Sequence, residues 1–327
     1  MVNPEVYLVE NLFSPTIKQV PTRNGFGEGL LELGKTNPNV WALSGDLTES
    51  TRALAFSEQF PERFVEMGVA EQNMAGLASG LGLEGKIPFV CSFAVFSPGR
   101  NWDQIRVSIA YSKSNVKIAG SHAGVSTGED GATHQALEDI AMMRALPNFV
   151  VVSPCDATET KRATMRAADI QGPVYLRFHR EKSPVFTTEK TPFEVGRAEI
   201  FLNGDDLTII ACGPILYEAL VAAHQLEEEK ISARVINCHT IKPIDEETII
   251  KAARETGAVV TAEEHQKYGG LGGAVAEVLA KNFPVPMEMV AVDDTFGESG
   301  EARELLAKYG LTTKEIREAV LRVLKRK

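Results

Sequence analysis

From about Pro21 to Phe178, short apolar runs alternate with amphipathic stretches. The runs fall at Val40–Ser44, Phe64–Val69, Pro88–Phe93, Val116–Gly120, Val150–Ser153 and Val174–Phe178, and none shows the in–out alternation of a half-solvated strand. Between them, helical patterns cover Arg23–Gly34, Glu71–Leu83, Trp102–Ser112, Ala136–Leu146 and Ala157–Asp169. Unalternating strands separated by helices predict a parallel sheet covered on both faces. The stretch Lys182–Pro192 (KSPVFTTEKTP) has two prolines and no helical period, so it reads as a linker. The same β/α pattern then resumes at Leu207–Ala211, Tyr217–Glu229, Ala233–Cys238, Glu246–Glu255, Ala258–Ala262, Gly273–Lys281 and Met289–Val292, followed by two terminal helices. The pattern predicts an α/β chain of two doubly wound, mostly parallel-sheet domains: an N-terminal arm over 1–20, a first domain over 21–190 and a smaller second domain over 191–327. No short internal repeat suggests a solenoid.

Charge and composition narrow the partners. The chain has 327 residues, with 34 Lys plus Arg against 44 Asp plus Glu, a net charge of −10. An acidic surface argues against nucleic acid, because phosphate-backbone binding needs a basic patch. A small anion held by a few Arg and His side chains stays compatible with that balance. The N-terminal residues lack a basic-then-apolar leader and no apolar stretch reaches membrane-spanning length, so the expectation is a soluble, cytoplasmic chain with no membrane partner. Cys91, Cys155, Cys212 and Cys238 lie in or beside apolar runs without zinc-ligand spacing, and read as buried reduced thiols.

In open parallel sheets, ligands bind beyond the carboxyl ends of the strands. That rule collects Ser44–Ser50, Glu71, Phe93–Phe96, the loop Ser121–His134 and Arg177–Arg180 on one rim. Glu71 stands where an apolar run gives way to a small-residue helix; it either caps that helix or points a carboxylate into the crevice. The glycine-punctuated loop puts His122, Glu129, Asp130 and His134 in one segment of a chain with 6 His, either as solvated turn residues or as proton carriers and hydroxyl acceptors. Phe93 and Phe96 are either core or a flat wall for an aromatic heterocycle. Arg23, Arg100, Arg177 and Arg180 all read as surface charges in the bland case; Arg23 and Arg180 are the stronger candidates for a bidentate grip on a phosphate. The cluster Gly269-Gly270-Leu271-Gly272-Gly273 does not spell a dinucleotide fingerprint, and reads as a tight turn into a helix.

Taken together, TRNGFGEGL, SGDLTES, GVAEQNM, CSFAVF and GSHAGVSTGEDGATHQALED resemble the C-terminal half of a transketolase. The resemblance runs from about Pro21 to the C-terminus and implies a pyrimidine-binding domain followed by a smaller Rossmann-like C-terminal domain. It implies thiamine diphosphate as cofactor, with Glu71 on a nitrogen of the pyrimidine ring, Phe93 and Phe96 stacked on that ring, and His134 near both its amino group and the substrate. Arg23, Ser50, His122 and Arg180 match positions that hold a sugar phosphate, and Asp130 the position that reads sugar hydroxyl stereochemistry. The implied reaction moves a two-carbon glycolaldehyde unit from a ketose phosphate to an aldose phosphate, as in the pentose phosphate pathway. Two departures stand out. Gly99 occupies a place where many relatives have a further aromatic. The G-D-G…N motif that binds diphosphate and a divalent metal (Mg²⁺ or Ca²⁺) is missing, so the resemblance implies an N-terminal partner subunit and a two-plus-two heterotetramer. The same layout also suits the β subunit of a 2-oxo acid dehydrogenase, half of a deoxyxylulose-phosphate synthase, or a non-catalytic scaffold that kept the fold. The loop with His122, Asp130 and His134, together with Arg180, favours the sugar-phosphate enzyme, and Gln72-Asn73 after Glu71 disfavours the synthase.

Overall fold

The computed structural model describes residues 1–327. In chain order the first half carries β1 (Gln19–Pro21), α1 (Thr22–Thr36), β2 (Val40–Ser44), α2 (Leu54–Gln59), β3 (Phe64–Glu66), α3 (Glu71–Leu83), β4 (Ile87–Phe93), α4 (Trp102–Gln104), β5 (Lys117–Ser121), α5 (Asp139–Ala145), β6 (Val150–Val152), α6 (Ala157–Asp169), β7 (Val174–Arg177) and β8 (Lys182–Pro184). The second half adds β9 (Glu199–Leu202), β10 (Leu207–Ala211), α7 (Leu216–Leu226), β11 (Ala233–Asn237), β12 (Thr240–Lys242), α8 (Glu246–Thr256), β13 (Val259–Gln266), α9 (Leu271–Asn282), β14 (Met287–Val292), α10 (Ala302–Lys308) and α11 (Thr313–Leu324).

Two doubly wound sheets result. The larger has the order β12-β6-β7-β5-β4-β2-β3 and the smaller β14-β13-β10-β11-β9. All pairings are parallel except the edge strands β12 and β9. Every residue of β4 and β5 is buried, which is why those strands read as unbroken apolar runs: helices cover both faces. Glycines in α1 let α6 come close; a Cβ on Gly25 would lie 2.0 Å from the Ala157 carbonyl oxygen. That packing fixes the start of α1, and with it Arg23, at the carboxyl rim of the larger sheet.

The halves are sewn together by segments that the apolar pattern did not mark. β12, from the second half, pairs with β6 of the first sheet, Thr240 opposite Val152. A single apolar cluster includes Val90, Ile118 and Tyr175 from one sheet and Ile210, Ile236 and Cys238 from the other. The expected linker carries β8, paired with β1, and buries Phe186; the Asp156 carboxylate accepts the backbone N–H of Phe186 and of Thr187. The N-terminal arm lays Val6, Leu12 and Ile17 into the second-half core. Some bounds also move. β3 ends at Glu66 rather than Val69, because Glu66 turns back to accept the N–H groups of Asp46 and Gly68, and Gly68 adopts φ +67. The helix expected over Trp102–Ser112 is regular only through Gln104 and then widens into π-helical turns over Ile105–Tyr111.

Candidate active site

Glu71 opens α3 and is 1% exposed. Its carboxylate accepts one charged donor, Arg100 Nη1 at 2.8 Å, and the Arg100 side chain is 47% exposed. Its backbone carbonyl accepts from Asn101 Nδ2 at 3.1 Å, and the same amide reaches Ser97 Oγ. The turn after β4 supplies the wall. Phe93 and Phe96 lie 6.0 Å apart at 16°, and the His134 ring meets Phe96 edge-on at 5.3 Å. The Arg100 guanidinium covers the Phe96 face at 4.7 Å. Gly99 has no room for a further aromatic, since a Cβ there would lie 2.0 Å from the Val95 carbonyl oxygen. Arg100 thus fills the place beside Phe96 through cation–π and ionic contact at once.

Across the rim, the His122 ring stacks on Phe93 at 3.7 Å. His122 has φ +57 and sits with Nδ1 2.8 Å from Ser121 Oγ and Nε2 3.5 Å from Arg23 Nη1. Burial, with the charges of Arg23 and Arg180 next, pushes His122 down to about 3, so it is neutral near pH 7. Arg23 donates to the Ser50 carbonyl at 3.0 Å; burial, then Arg52 and Arg180, lowers its own value. Arg180 donates to the Thr127 carbonyl and to Glu129, with Asp130 3.8 Å away. His134 Nδ1 lies 2.8 Å from Thr133 Oγ1. Glu71, Phe93, Phe96, His122 and His134 therefore share one contiguous surface, and Arg23, Ser50, Asp130 and Arg180 form its cationic edge. The arrangement offers a shielded carboxylate, an aromatic wall, a neutral imidazole and a guanidinium pair: a place for a flat nitrogen heterocycle with an anion beyond it. No group of three or more His, Cys, Asp or Glu side chains converges as a metal site.

Three further residues support the rim: Arg100 and Arg177, which the sequence ranked below Arg23 and Arg180, and Glu264, which it did not mark. Arg100 holds Glu71. Arg177, fully buried, pairs with Asp139, and Glu264 reaches in from β13. Arg177 carried a usable signal: a charge inside an apolar run covered on both faces must have a buried partner. The Gly269–Gly273 turn is a helix start satisfied internally, with Glu263 accepting the N–H groups of Leu271 and Gly272 at 2.7 Å each.

This fold defines a two-domain α/β chain of the transketolase type. The family description "Transketolase, pyrimidine binding domain" matches residues 18–185, and "Transketolase, C-terminal domain" matches 196–316. The chain belongs to the transketolase family and corresponds to its C-terminal section. It is 48% identical, over 93% of its length and 96% of the other chain, to a putative transketolase C-terminal section of Methanocaldococcus jannaschii. It is 42% identical, over 93% and 95%, to a 6-deoxy-6-sulfo-D-fructose transketolase subunit of a Clostridium species. Among solved structures, a split-gene transketolase described as an inactive β4 tetramer superposes with TM-score 0.88 at 49% identity, covering 94% of this chain and 99% of that one. Other curated relatives are matched over about half of their own length.

Proposed function

We propose that this chain is the C-terminal subunit of a split, thiamine-diphosphate-dependent transketolase that moves a two-carbon unit from a ketose phosphate to an aldose phosphate, in the manner of pentose phosphate interconversion. The observation that carries the reading is the buried Glu71 carboxylate beside the Phe93–Phe96 wall, with a half-exposed arginine as its single charged partner. That set fits the pyrimidine end of the cofactor, whereas the chain has no residue set for the diphosphate or its divalent metal (Mg²⁺ or Ca²⁺). Those fall to an N-terminal partner subunit. The division into an arm over 1–20 and domains over 21–190 and 191–327 belongs to this proposal.

When bound, the cofactor supplies an electron sink for carbanion chemistry. Glu71 would hold a ring nitrogen and share its proton, Phe93 and Phe96 would hold the ring's face, and His134 would exchange a proton with a substrate oxygen. Arg23, Arg180 and neutral His122 hold the sugar's anionic end, Ser50 completes that pocket and Asp130 accepts a hydroxyl. Assembly is supported by the outer face of α3. There Gly76 and Gly80 have open space where a side chain would be, Leu77 and Leu83 are exposed at 39% and 61%, and Val69, just before the helix, at 69%. Small and apolar residues on an open helix face suit close packing against another subunit, consistent with a two-plus-two heterotetramer.

The test combines this chain with its N-terminal counterpart, thiamine diphosphate and Mg²⁺, and measures transfer from xylulose 5-phosphate to ribose 5-phosphate. Transfer by the mixture, and none by the chain alone, is the expected result. Turnover by the chain alone contradicts the split assignment. A 6-sulfo ketose run in parallel decides the anion: a better rate with the sulfonate would move the substrate away from sugar phosphates.

A further inference from the structure

The loop that carries His122, Asp130 and His134 is not held by its own domain alone. Glu264, on β13 of the second domain and 4% exposed, aims its carboxylate into the loop and accepts the Ser126 backbone N–H at 2.6 Å. Its second carboxylate oxygen lies 3.4 Å from His179 Nε2. The His179 carbonyl in turn accepts the Arg23 N–H at the start of α1, and its N–H donates to Thr22 Oγ1. The fit is tight: Gly124 adopts φ +81, and a Cβ there would sit 2.1 Å from Glu264 Oε1. Arg177 anchors the far side by donating to the Glu264 carbonyl at 2.8 Å and to Asp139. One carboxylate therefore touches the loop directly, and the start of α1 through one intervening residue.

We propose that Glu264 is a cross-domain positioning residue that sets the spacing between the His122–His134 loop and Arg23, and so the shape of the pocket for the sugar's anionic end. The assignment of that pocket rests on the functional reading above; the pinning of the loop does not. An acceptor oxygen on a buried N–H holds a turn far better than a solvated contact, because the donor has no water to replace it. This gives the second domain a role in the site through a buried side chain that supports the rim from behind.

Hydrogen exchange of the complete chain, without cofactor or sugar, tests the pin. Glu264→Ala and the milder Glu264→Asp are expected to speed exchange across residues 122–135 by about tenfold or more, while a β10 peptide stays protected. Glu264→Gln, which keeps an acceptor oxygen of the same reach, is expected to stay near wild type. If Glu264→Ala unfolds, the Asp and Gln variants decide. Unchanged loop exchange in Glu264→Asp overturns the proposal. In the assembled enzyme the same variant is expected to raise KM for the phosphorylated sugar about tenfold with kcat within about twofold. A fall in kcat alone would contradict the pocket role while leaving the pin intact.

Discussion

Two arginine–carboxylate pairs, each closed at 2.8 Å, do opposite work in this molecule. Asp139 and Arg177 are both 1% exposed, and Tyr175 OH adds a second contact to the same carboxylate oxygen. Burial opposes both charges, yet each sustains the other: Arg177 holds Asp139 below the ordinary carboxyl value, and Asp139 raises Arg177. Such a pair cannot open without stranding a charge, so it is part of the frame. Glu71 is buried just as deeply, but its partner Arg100 is half in water. Arg100 can pass its own charge to solvent when it swings out, so only Glu71 is left needing a partner, which an incoming ring nitrogen can supply. Equal distances thus hide a locked pair and a releasable one, and the releasable one lies at the proposed cofactor site.

The largest expected effect comes from breaking the locked pair. Asp139→Ala leaves Arg177 buried and unpaired, and should lower unfolding free energy by about 3–5 kcal/mol in chemical denaturation. Arg100→Ala should cost less, about 1–2 kcal/mol by the same measurement, because only one of its two charges is buried. Equal losses in the two variants would erase the distinction. Next in size, Glu71→Gln should keep the fold while lowering transfer by the assembled enzyme about 10²–10⁴-fold, the range of a positioned proton-transfer group. A smaller change is expected at the cationic edge. Arg180→Ala should raise KM for a phosphorylated sugar about 10–100-fold with kcat nearly unchanged, since the contact is made equally in ground and transition states.

The smallest effect is a pH slope. Burial raises Glu264 to about 7, against its hydrogen bond from Ser126 and the nearby Arg177, and with Asp139 adding to the rise; His179 faces it as well. The folded chain then binds more protons at this group than the unfolded chain between about pH 4.5 and 7, so its contribution to stability falls as pH rises through that window. Glu264→Gln removes the titration. The stability of the variant relative to wild type should therefore rise by about 1–2 kcal/mol from pH 5 to pH 8. A flat difference would show that the carboxyl titrates at an ordinary value.

Legibility in the sequence followed locality. β4, β5 and β10 declared themselves because a strand buried on both faces is a continuous apolar run, and Glu71 stood out because it opens a helix after such a run. β12 and β9 are short edge strands whose partners lie far away in sequence, so no local pattern marks them. The buried arm residues Val6, Leu12 and Ile17 have no helical or strand period. The π-helical turns at Ile105–Tyr111 break the regular helix expected there without a proline or glycine to announce it. Arg100 and Arg177 read as surface charges and Glu264 carried no signal, since burial and pairing arise when distant segments meet. Gly99 could be read as a departure from relatives, but that the neighbouring Arg100 covers Phe96 and pairs with Glu71 is visible only in three dimensions.

The central claim is that Glu71 is the carboxylate that activates the cofactor. Its most direct measurement is hydrogen–deuterium exchange at C2 of thiamine diphosphate in the assembled enzyme, comparing wild type with Glu71→Gln by quenched NMR. The expected result is exchange slowed about 100-fold or more in the variant with cofactor still bound. Exchange at the wild-type rate would show that Glu71 merely caps α3, and that the activating group lies elsewhere.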